Sequence, residues 1–257
     1  MLTPRRLIAG NWKMHGLAAS LGEARAIAAA VQGRPPLARV AICPPATLIH
    51  RMSAALAGTP VLLGGQDCRP EPSGAFTGSI SAEMLADAGA QLVILGHSER
   101  RRDFGETDSL VAAKVSAAFR AGLEPIVCVG ERADERRAGR ALAVVLAQVR
   151  GSLPDEADGR DFAVAYEPVW AIGAGVTPTL PEIGEMHSAI REALAARFGE
   201  AGRRAPILYG GSVSPANAGE VLAGREVGGA LVGGASLTAR TFVPIIDALA
   251  VLRPSAS

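Results

Sequence analysis

The sequence predicts an α/β fold built on eight parallel β-strands. Three observations support this: eight short apolar runs occur along the chain, amphipathic helical patterns separate them, and polar or glycine residues follow most of the runs. Alternation of strands and helices is typical of a parallel sheet, and strands that are apolar throughout are expected when helices cover both faces. A (β/α)8 barrel and a doubly wound open sheet both satisfy this alternation, so the strand count alone leaves the closure of the sheet open.

The strand candidates are short runs rich in Val, Ile and Leu. They are residues 7–9, 40–43, 61–63, 92–95, 125–129, 162–166, 207–209 and 230–232. Residues 107–121 have helical spacing and stop before Gly122, a residue type that commonly ends helices. Ser214 before Pro215 predicts a helix start, because Ser caps helices and Pro fits their first turn. Two capping boxes predict further helix starts; they are Ser20 with Glu23 and Thr179 with Glu182.

Length and composition bound the class of protein. The 257 residues carry a formal net charge of +1, which gives no electrostatic reason to expect nucleic acid or an anionic membrane as a partner. No apolar stretch reaches membrane-spanning length. The cysteines Cys43, Cys68 and Cys128 are far apart and form no CxxC motif, as expected in a reducing compartment. We therefore expect a soluble cytoplasmic protein with a single domain over residues 1–257, in which about 254–257 form a loose tail.

Polar and glycine residues follow the predicted strands. They are Asn11, Lys13, Gln66, Asp67, Gly96, His97, Gly130, Glu131, Glu167, Gly210, Gly211, Ser212, Gly233 and Gly234. Because the carboxyl ends of parallel strands meet at one end of a sheet, these residues are expected to gather there. In a (β/α)8 barrel that end carries the active site.

The sixth predicted strand ends on Glu167 and Pro168, and proline cannot continue a central ladder because it has no N–H. This places a carboxylate at the end of a buried strand. The following segment, 169–177, contains Trp170 and two glycines, so it is too apolar for water and too irregular for a helix. Such a segment beside a buried carboxylate is typical of a loop that closes over a site. An ordinary strand-to-helix connection with a solvated Glu is the alternative.

Two further side chains are candidates for chemistry. Lys13 is one of only two lysines among 26 basic residues, which favours a need for a compact point charge after the first strand. His97 follows Gly96 at a strand end, where a functional imidazole and a buried structural one are both reasonable. A Ser–His nucleophile pair with Ser98 is disfavoured, because adjacent residues on one turn point apart and no GxSxG elbow is present.

Tandem glycines follow the last two strands, at Gly210–Gly211 and Gly233–Gly234. Together with Ser212 they favour backbone N–H groups that converge on a phosphate, although either pair alone is explained by packing. Neither the GxxxxGK[ST] loop nor GxGxxG is present, so nucleotide binding has little support. The histidines and cysteines show no ligand spacing, so we expect no metal and no cofactor.

Seven strings carry a family resemblance. They are AGNWKMH (9–15), GAFTG (74–78), GHSERR (96–101), PIVCVGE (125–131), AYEPVWAIG (165–173), YGGSV (209–213) and LVGGASL (231–237). In this order they resemble the triosephosphate isomerase family over nearly the whole chain. The resemblance implies a (β/α)8 TIM barrel and the interconversion of dihydroxyacetone phosphate and D-glyceraldehyde 3-phosphate, a reaction of glycolysis and gluconeogenesis.

The resemblance also implies roles for four residues. Glu167 matches the base that moves a proton between two substrate carbons through an enediolate, and a dry pocket would raise its basicity. His97 matches a neutral imidazole that polarises the carbonyl group. Lys13 matches the positive charge that stabilises the enediolate and the phosphate, with Asn11 as a polar contact beside it.

Further residues match the family's supporting positions. Those matching phosphate-binding sites are Gly173, Ser212, Gly233 and Gly234. Glu99 and Cys128 match residues that support the catalytic groups, and the resemblance implies a lid from Trp170 to Thr177 that closes over the bound sugar phosphate.

The lid departs from the family pattern at Ala174 and Val176, where Thr and Lys are more usual. Both changes lie on its outer part, so we expect altered closing kinetics and intact chemistry. Pro178 stands where a backbone N–H bonds Tyr209 in the family, and proline has none to give. A closed lid would then depend more on Ser212.

Dimerisation is likewise implied by the resemblance. The long segment 66–78 has little reason to fold back on its own barrel, and in the family it inserts into a second subunit. Thr77 matches the residue that reaches the partner subunit's Asn11. His15 and Ser79 replace the usual Asn and Glu near this contact. We expect a homodimer in which the contact lies directly behind Lys13.

Two other functions stay open at this point. One is an isomerase of the same fold that acts on a slightly larger sugar phosphate, such as a tetrulose phosphate, which the lid changes permit. The other is a phosphate-binding barrel without catalysis, which would be favoured by replacement of Glu167, His97 or Lys13. All three are present.

Overall fold

The computed structural model describes residues 6–33, 37–173 and 177–249. Within these residues, eight strands follow one another along the chain. They are β1 (Leu7–Asn11), β2 (Arg39–Cys43), β3 (Val61–Gly65), β4 (Leu92–Leu95), β5 (Glu124–Val129), β6 (Ala163–Tyr166), β7 (Ile207–Tyr209) and β8 (Gly229–Val232). Each pairs in parallel with the next, and β8 pairs with β1. The sheet is therefore a closed barrel, which confirms the predicted (β/α)8 fold and excludes the open sheet.

All eight predicted apolar runs are strands, with shifts of at most two residues at their ends. The largest extensions are at β1 and β3, which continue to Asn11 and Gly65. In β1 the ladder with β2 runs on to the pair Asn11 and Cys43. Backbone pairing therefore carries the strand past the apolar run and delivers Asn11 to the carboxyl end of the barrel.

Helices surround the barrel in the described part of the chain. They are α1 (Leu21–Gly33), α2 (Ala46–Ala55), α3 (Ala82–Asp87), α4 (Ser98–Phe104), α5 (Asp108–Arg120), α6 (Ala133–Arg137), α7 (Ala141–Ser152), α8 (Leu180–Arg204), α9 (Ala218–Leu222) and α10 (Ala239–Asp247). The predicted helix at 107–121 is α5, capped by the Thr107 side chain. Helical geometry in α8 is broken at Phe198 and Gly199.

The capping box at Thr179 is confirmed, because its hydroxyl accepts from the Glu182 N–H and the Glu182 carboxylate accepts from the Thr179 N–H. The other box is wrong. The Ser20 hydroxyl instead accepts from the Leu17 N–H at 3.1 Å within a 3-10 turn. Glu23 reaches across to accept the Ala239 N–H at 2.7 Å. Because the Glu23 carboxylate bonds this distant N–H at the start of α10, it does not form the capping box with Ser20.

The predicted helix start at Ser214 is also wrong. Both the backbone N–H and the hydroxyl of Ser214 hydrogen-bond Asn217 Oδ1, at 2.8 and 3.3 Å. This closes a turn, and α9 begins only at Ala218. An Asn side chain that bonds nearby backbone competes with helix formation, and here it delays the helix by one turn.

Two apolar layers hold the fold together. Alternate strand residues point into the barrel, where small side chains let opposite strands approach. This inner cluster contains Leu7, Ala9, Ala41, Cys43, Leu92, Ile94, Ile126, Cys128, Ala163, Ala165, Leu208 and Leu231. The remaining strand residues pack outward against the helices in a larger cluster. Each large aliphatic side chain buried in this way contributes about 1.5–3 kcal/mol.

An ion pair closes the amino-terminal end of the barrel. Arg39 and Glu124 begin β2 and β5, in register with Leu7 and Leu92 of the inner cluster, so their side chains point inward. The guanidinium donates two parallel hydrogen bonds to the carboxylate, at 2.5 and 2.8 Å. Such a fork-to-fork pair satisfies both charges in one fixed geometry. The amino-terminal end is therefore built for stability.

Candidate active site

The carboxyl end of the barrel holds a cavity of about 350 Å³. All eight residues that the sequence predicted as catalytic or substrate-binding line it. They are Asn11, Lys13, His97, Glu167, Gly173, Ser212, Gly233 and Gly234. These residues come from loops after five different strands, β1, β4, β6, β7 and β8. The parallel topology thus converts positions scattered through the chain into one pocket.

Glu167 lies directly after β6 with only 2% of its surface exposed. Its carboxylate is held from two sides. Oε1 lies 2.9 Å from His97 Nε2 and accepts from the Ser98 hydroxyl at 3.2 Å. Oε2 accepts from the Ser98 backbone N–H at 2.9 Å. The buried carboxylate expected from the sequence is present and is bonded by the loop that opens α4.

These partners reverse the expected direction of the Glu167 pKa. Burial is the largest single influence and raises the pKa, as the sequence analysis assumed. The contact with His97 and the hydrogen bonds from Ser98 together outweigh burial and leave the pKa below its ordinary value. Glu167 is thus a carboxylate stabilised by its neighbours.

His97 caps α4, and its Nδ1 accepts the Glu99 backbone N–H at 3.2 Å. An imidazole nitrogen that accepts a hydrogen bond carries no proton, so the ring is neutral with its proton on Nε2, facing Glu167. Burial lowers the pKa of His97, but the Glu167 carboxylate outweighs it and raises the pKa above its ordinary value. The Glu99 N–H is fixed by the helix backbone, so Nδ1 stays an acceptor and the proton stays on Nε2.

Lys13 has a backbone φ of +51°, a strained value for a residue other than glycine. Three contacts hold this conformation. The Lys13 N–H donates to Asn11 Oδ1 at 3.0 Å, and its carbonyl accepts from Gln66 Nε2 at 2.9 Å. Its ammonium donates to Glu99 Oε1 at 2.6 Å. Strain that is held by surrounding contacts is typical of functional sites, and Glu99 lies where the sequence predicted a supporting residue.

Backbone groups form the wall opposite Glu167. Gly234 opens a 3-10 turn (Gly234–Ser236), and the first N–H groups of such a turn have no partner within it. A Cβ on Gly234 would meet no atom within 4 Å, and one on Gly233 would lie 3.8 Å from Lys13 Cε. The space in front of these glycines is therefore open and adjoins an ammonium group. Ser212 and Gly173 line the same cavity.

A polar cluster that the sequence did not predict lies beside the pocket. Glu131 is fully buried, and its Oε1 accepts from Trp170 Nε1 at 2.8 Å and from the Tyr166 hydroxyl at 3.1 Å. The Arg136 guanidinium lies 4.4 Å from the Trp170 ring centre. Tyr166 immediately precedes Glu167, so this cluster holds both flanks of the base. A carboxylate after β5 was the only sequence signal for it.

Residues 174–176 lie outside the described residues, so the predicted effects of Ala174 and Val176 stay predictions, as does the lid from Trp170 to Thr177. The Tyr209 hydroxyl is buried without a hydrogen-bond partner in the described part of the chain. The expected effect of Pro178 on lid closure stays a prediction. Cys128 is buried under Glu167, and burial together with that carboxylate raises the pKa of its thiol.

The predicted subunit-contact residues lie on an exposed face. Residues 72–79, which include Thr77 and Ser79, are exposed, as is His15. Large apolar side chains nearby are also exposed, 94% for Met14 and 69% for Phe104. A second cavity of about 790 Å³ adjoins them and reaches Lys13 from behind.

Metal-binding clusters and membrane-spanning helices are both absent from the described residues. There, no group of three or more His, Cys, Asp and Glu side chains is placed to hold a metal ion. No described helix combines the length and apolarity that crossing a membrane requires.

Comparisons with known proteins agree on one family. The family model described as "Triosephosphate isomerase" matches residues 6–249. Triosephosphate isomerase of Caulobacter vibrioides is 62% identical over 247 residues, which cover 96% of this chain and 98% of that protein. The enzyme of Afipia carboxidovorans is 58% identical, with 95% and 97% covered. The crystal structure of triosephosphate isomerase from Bartonella henselae superposes with a TM-score of 0.89 at 48% identity, covering 95% of this chain and 98% of that one.

Proposed function

The chain belongs to the triosephosphate isomerase family, and from that premise we propose that Glu167, His97 and Lys13 carry its isomerase chemistry. The substrates are phosphorylated trioses, and the reaction interconverts dihydroxyacetone phosphate and D-glyceraldehyde 3-phosphate. The observation that carries the proposal is the meeting of a buried carboxylate, an imidazole and an ammonium in one cavity of about 350 Å³.

Glu167 is the base that moves a proton between the two substrate carbons. Its carboxylate is in contact with His97 and Ser98, which lower its pKa. A substrate carbonyl that takes over the hydrogen bond of His97 removes part of this stabilisation. Burial, which raises the pKa, then weighs more, so the carboxylate becomes more basic when its substrate is in place.

His97 polarises the carbonyl group and moves protons between the two oxygens. Its Nε2–H points into the pocket because Nδ1 is occupied by the Glu99 N–H. Separation from the Glu167 carboxylate removes the main influence that raises the His97 pKa, so burial, which favours the neutral ring, weighs more. Lys13 stabilises the negative enediolate oxygen, while Asn11 supports the strained Lys13 backbone.

The phosphate group binds at the wall formed by backbone N–H groups. The residues concerned are Gly173, Ser212, Gly233 and Gly234. Backbone N–H groups at a turn start suit an anion, and Lys13 adds a positive charge nearby. Because the phosphate does not react, its binding energy is free to hold the carbon chain against Glu167.

The proposal includes a homodimer located in the cytoplasm. The exposed segment 72–79 and the exposed apolar side chains of Met14 and Phe104 support a subunit contact here. His15 and Thr77 belong to this contact, which lies against the back of the Lys13 loop. We expect that a variant with residues 70–77 shortened is monomeric and has lost most of its activity; a fully active monomer would contradict this part.

The experiment for the reaction is isomerisation of D-glyceraldehyde 3-phosphate by the purified protein in the presence of a chelator, with E167Q assayed in parallel. We expect conversion by the wild type and a loss of activity of about a thousandfold in the variant, which is the scale expected when a proton-transfer group is removed. An E167Q protein within tenfold of the wild type would reject Glu167 as the base.

A further inference from the structure

Two glycines lie in close contact with Glu167, Gly130 at its backbone and Gly210 at its side chain. Its N–H donates to the Val129 carbonyl at 2.8 Å. A Cβ on Gly130 would lie only 1.8 Å from the carbonyl oxygen of Glu167, and a Cβ on Gly210 would lie 2.9 Å from its Cγ. Both loops therefore touch Glu167 at a distance that leaves no free space. The position of the carboxylate depends on where these two glycine backbones are held.

Gly130 is held by one side chain. Gln148 Oε1 accepts the Gly130 N–H at 2.7 Å, and Gln148 Nε2 donates to the Gly130 carbonyl at 3.1 Å. Gly130 lies one residue beyond β5, past the end of the sheet ladder. A primary amide offers a donor and an acceptor side by side, which matches the C=O and the N–H of one backbone residue.

Gln148 is itself fixed by the helix that carries it. The residues Val145 and Val149 of α7 are buried and pack this helix onto the barrel. The amide thus connects a rigid outer helix to the loop that touches Glu167. Glu131, the next residue after Gly130, binds Tyr166 beside the base, so a displaced loop would act on Glu167 from two directions.

We propose that Gln148 is a positioning residue for Glu167, acting through the peptide of Gly130. This inference rests on the proposed role of Glu167 as the base. Because Gly130 is in hard contact with the Glu167 carbonyl, movement of the loop is passed directly to the carboxylate. Misplacement of a reacting group by about 1 Å costs about a hundredfold in rate. The only other role for the amide is to stabilise α7 against the loop.

The test compares Q148M with V149A at 25 °C. Q148M keeps the length of the side chain and removes both hydrogen bonds, whereas V149A opens a small cavity in the same helix without touching Gly130. We expect Q148M to lower kcat by about 10- to 100-fold with KM within about threefold, and V149A to lower Tm with kcat unchanged. Q148E keeps the acceptor for the Gly130 N–H, so it should lie between Q148M and the wild type.

The pH profile separates positioning from stability. The contacts with His97 and Ser98 lower the Glu167 pKa, and displacement of the carboxylate weakens them. We therefore expect the acid limb of kcat/KM to move to higher pH in Q148M and to stay in place in V149A. A purely structural role for Gln148 would move neither kcat nor this limb.

The inference is overturned if Q148M keeps the wild-type kcat and acid limb, or if V149A loses as much kcat as Q148M. Should Q148M fail to fold, Q148E decides by the same two measurements. E167Q is assayed in the same series. Its retention of activity would instead overturn the proposed function, so the two failures are distinguishable.

Discussion

The two ends of the barrel both carry charged side chains, but they use them in opposite ways. At the amino-terminal end Arg39 and Glu124 form two parallel hydrogen bonds, and each charge is satisfied by the other. At the carboxyl end Glu167 and His97 share one contact of 2.9 Å and face a cavity of about 350 Å³. One pair closes the barrel, and the other is available to a substrate.

The difference shows that stability and function depend on opposite ends of this barrel. Strand beginnings carry residues whose partners are already in place. Replacement of these residues should therefore lower the free energy of unfolding. Strand ends carry groups whose contacts must be exchanged for substrate contacts during turnover. This division is expected for the fold, in which the carboxyl end is catalytic and the amino-terminal end serves stability.

After Glu167→Gln, the largest effect is expected for His97→Gln. Glutamine keeps a polar group in the pocket, but it cannot reproduce the Nε2–H that the Glu99 N–H orients. We expect kcat to fall by about 10²- to 10³-fold, the range for a lost electrophilic hydrogen bond, with the urea midpoint nearly unchanged. Steady-state kinetics and urea unfolding on the same sample check this. A folded variant with kcat within threefold of the wild type would contradict a catalytic role for His97.

A buried histidine on α8 should dominate acid sensitivity. His187 is fully buried, and burial lowers its pKa from 6.5 to about 4. The unfolded chain therefore binds the proton more readily, so stability is complete above about pH 6.5 and falls as the pH drops toward 4. The full change is about 3 kcal/mol. Urea unfolding from pH 4 to 7, with His187→Gln as the control, should show a smaller slope in the variant.

Gly210→Ala should damage the carboxyl end without changing any charge. The new Cβ would lie 2.9 Å from Glu167 Cγ, so the carboxylate must move. We expect kcat to fall by about 10- to 100-fold with KM little affected. Gly219→Ala is the matched control, because a Cβ there, within α9, meets nothing within 4 Å. Equal kinetics in the two variants would mean that Glu167 tolerates displacement.

Arg39→Met should damage only the amino-terminal end. It leaves the largely buried Glu124 carboxylate without its two charged hydrogen bonds, which costs about 2 kcal/mol in the free energy of unfolding. Turnover should stay within twofold. The double variant Arg39→Met/Glu124→Met removes the uncompensated charge and should recover most of the loss. A double variant less stable than Arg39→Met would show that the ion pair has a different role.

The smallest effect is expected for Tyr209→Phe. Its hydroxyl has no partner among the described residues, so removing it should change the free energy of unfolding by less than about 0.5 kcal/mol. Because Pro178 supplies no N–H, kcat should stay within about threefold. Pro178→Ala would restore the N–H, and in that background Tyr209→Phe should cost more. Equal losses in both backgrounds would contradict the expected effect of Pro178.

The sequence predicted the strands and the pocket residues because both depend on local pattern. A short apolar run that ends on Glu167–Pro168 or Gly96–His97 predicts a side chain at a strand end, and parallel topology then gathers such ends. The family resemblance added the roles. Neither the local pattern nor the family resemblance depends on which helix packs against which loop.

Features that depend on such packing were missed. Gln148 is an ordinary helix residue in the sequence, and only the folded chain brings its amide to Gly130. Arg39 and Glu124 are 85 positions apart, and nothing local marks them as partners. The prediction of a capping box at Ser20 failed for the same reason, because the Glu23 carboxylate bonds the distant N–H of Ala239.

The most direct test of the division between the two ends is a crossed measurement on Glu167→Gln and Glu124→Gln. Both variants neutralise one carboxylate, and both kcat and the free energy of unfolding are measured for each. We predict a loss of about a thousandfold in kcat for Glu167→Gln with stability within about 1 kcal/mol. Glu124→Gln should lose about 2 kcal/mol of stability with kcat within twofold. A comparable loss of turnover in both variants would contradict the account.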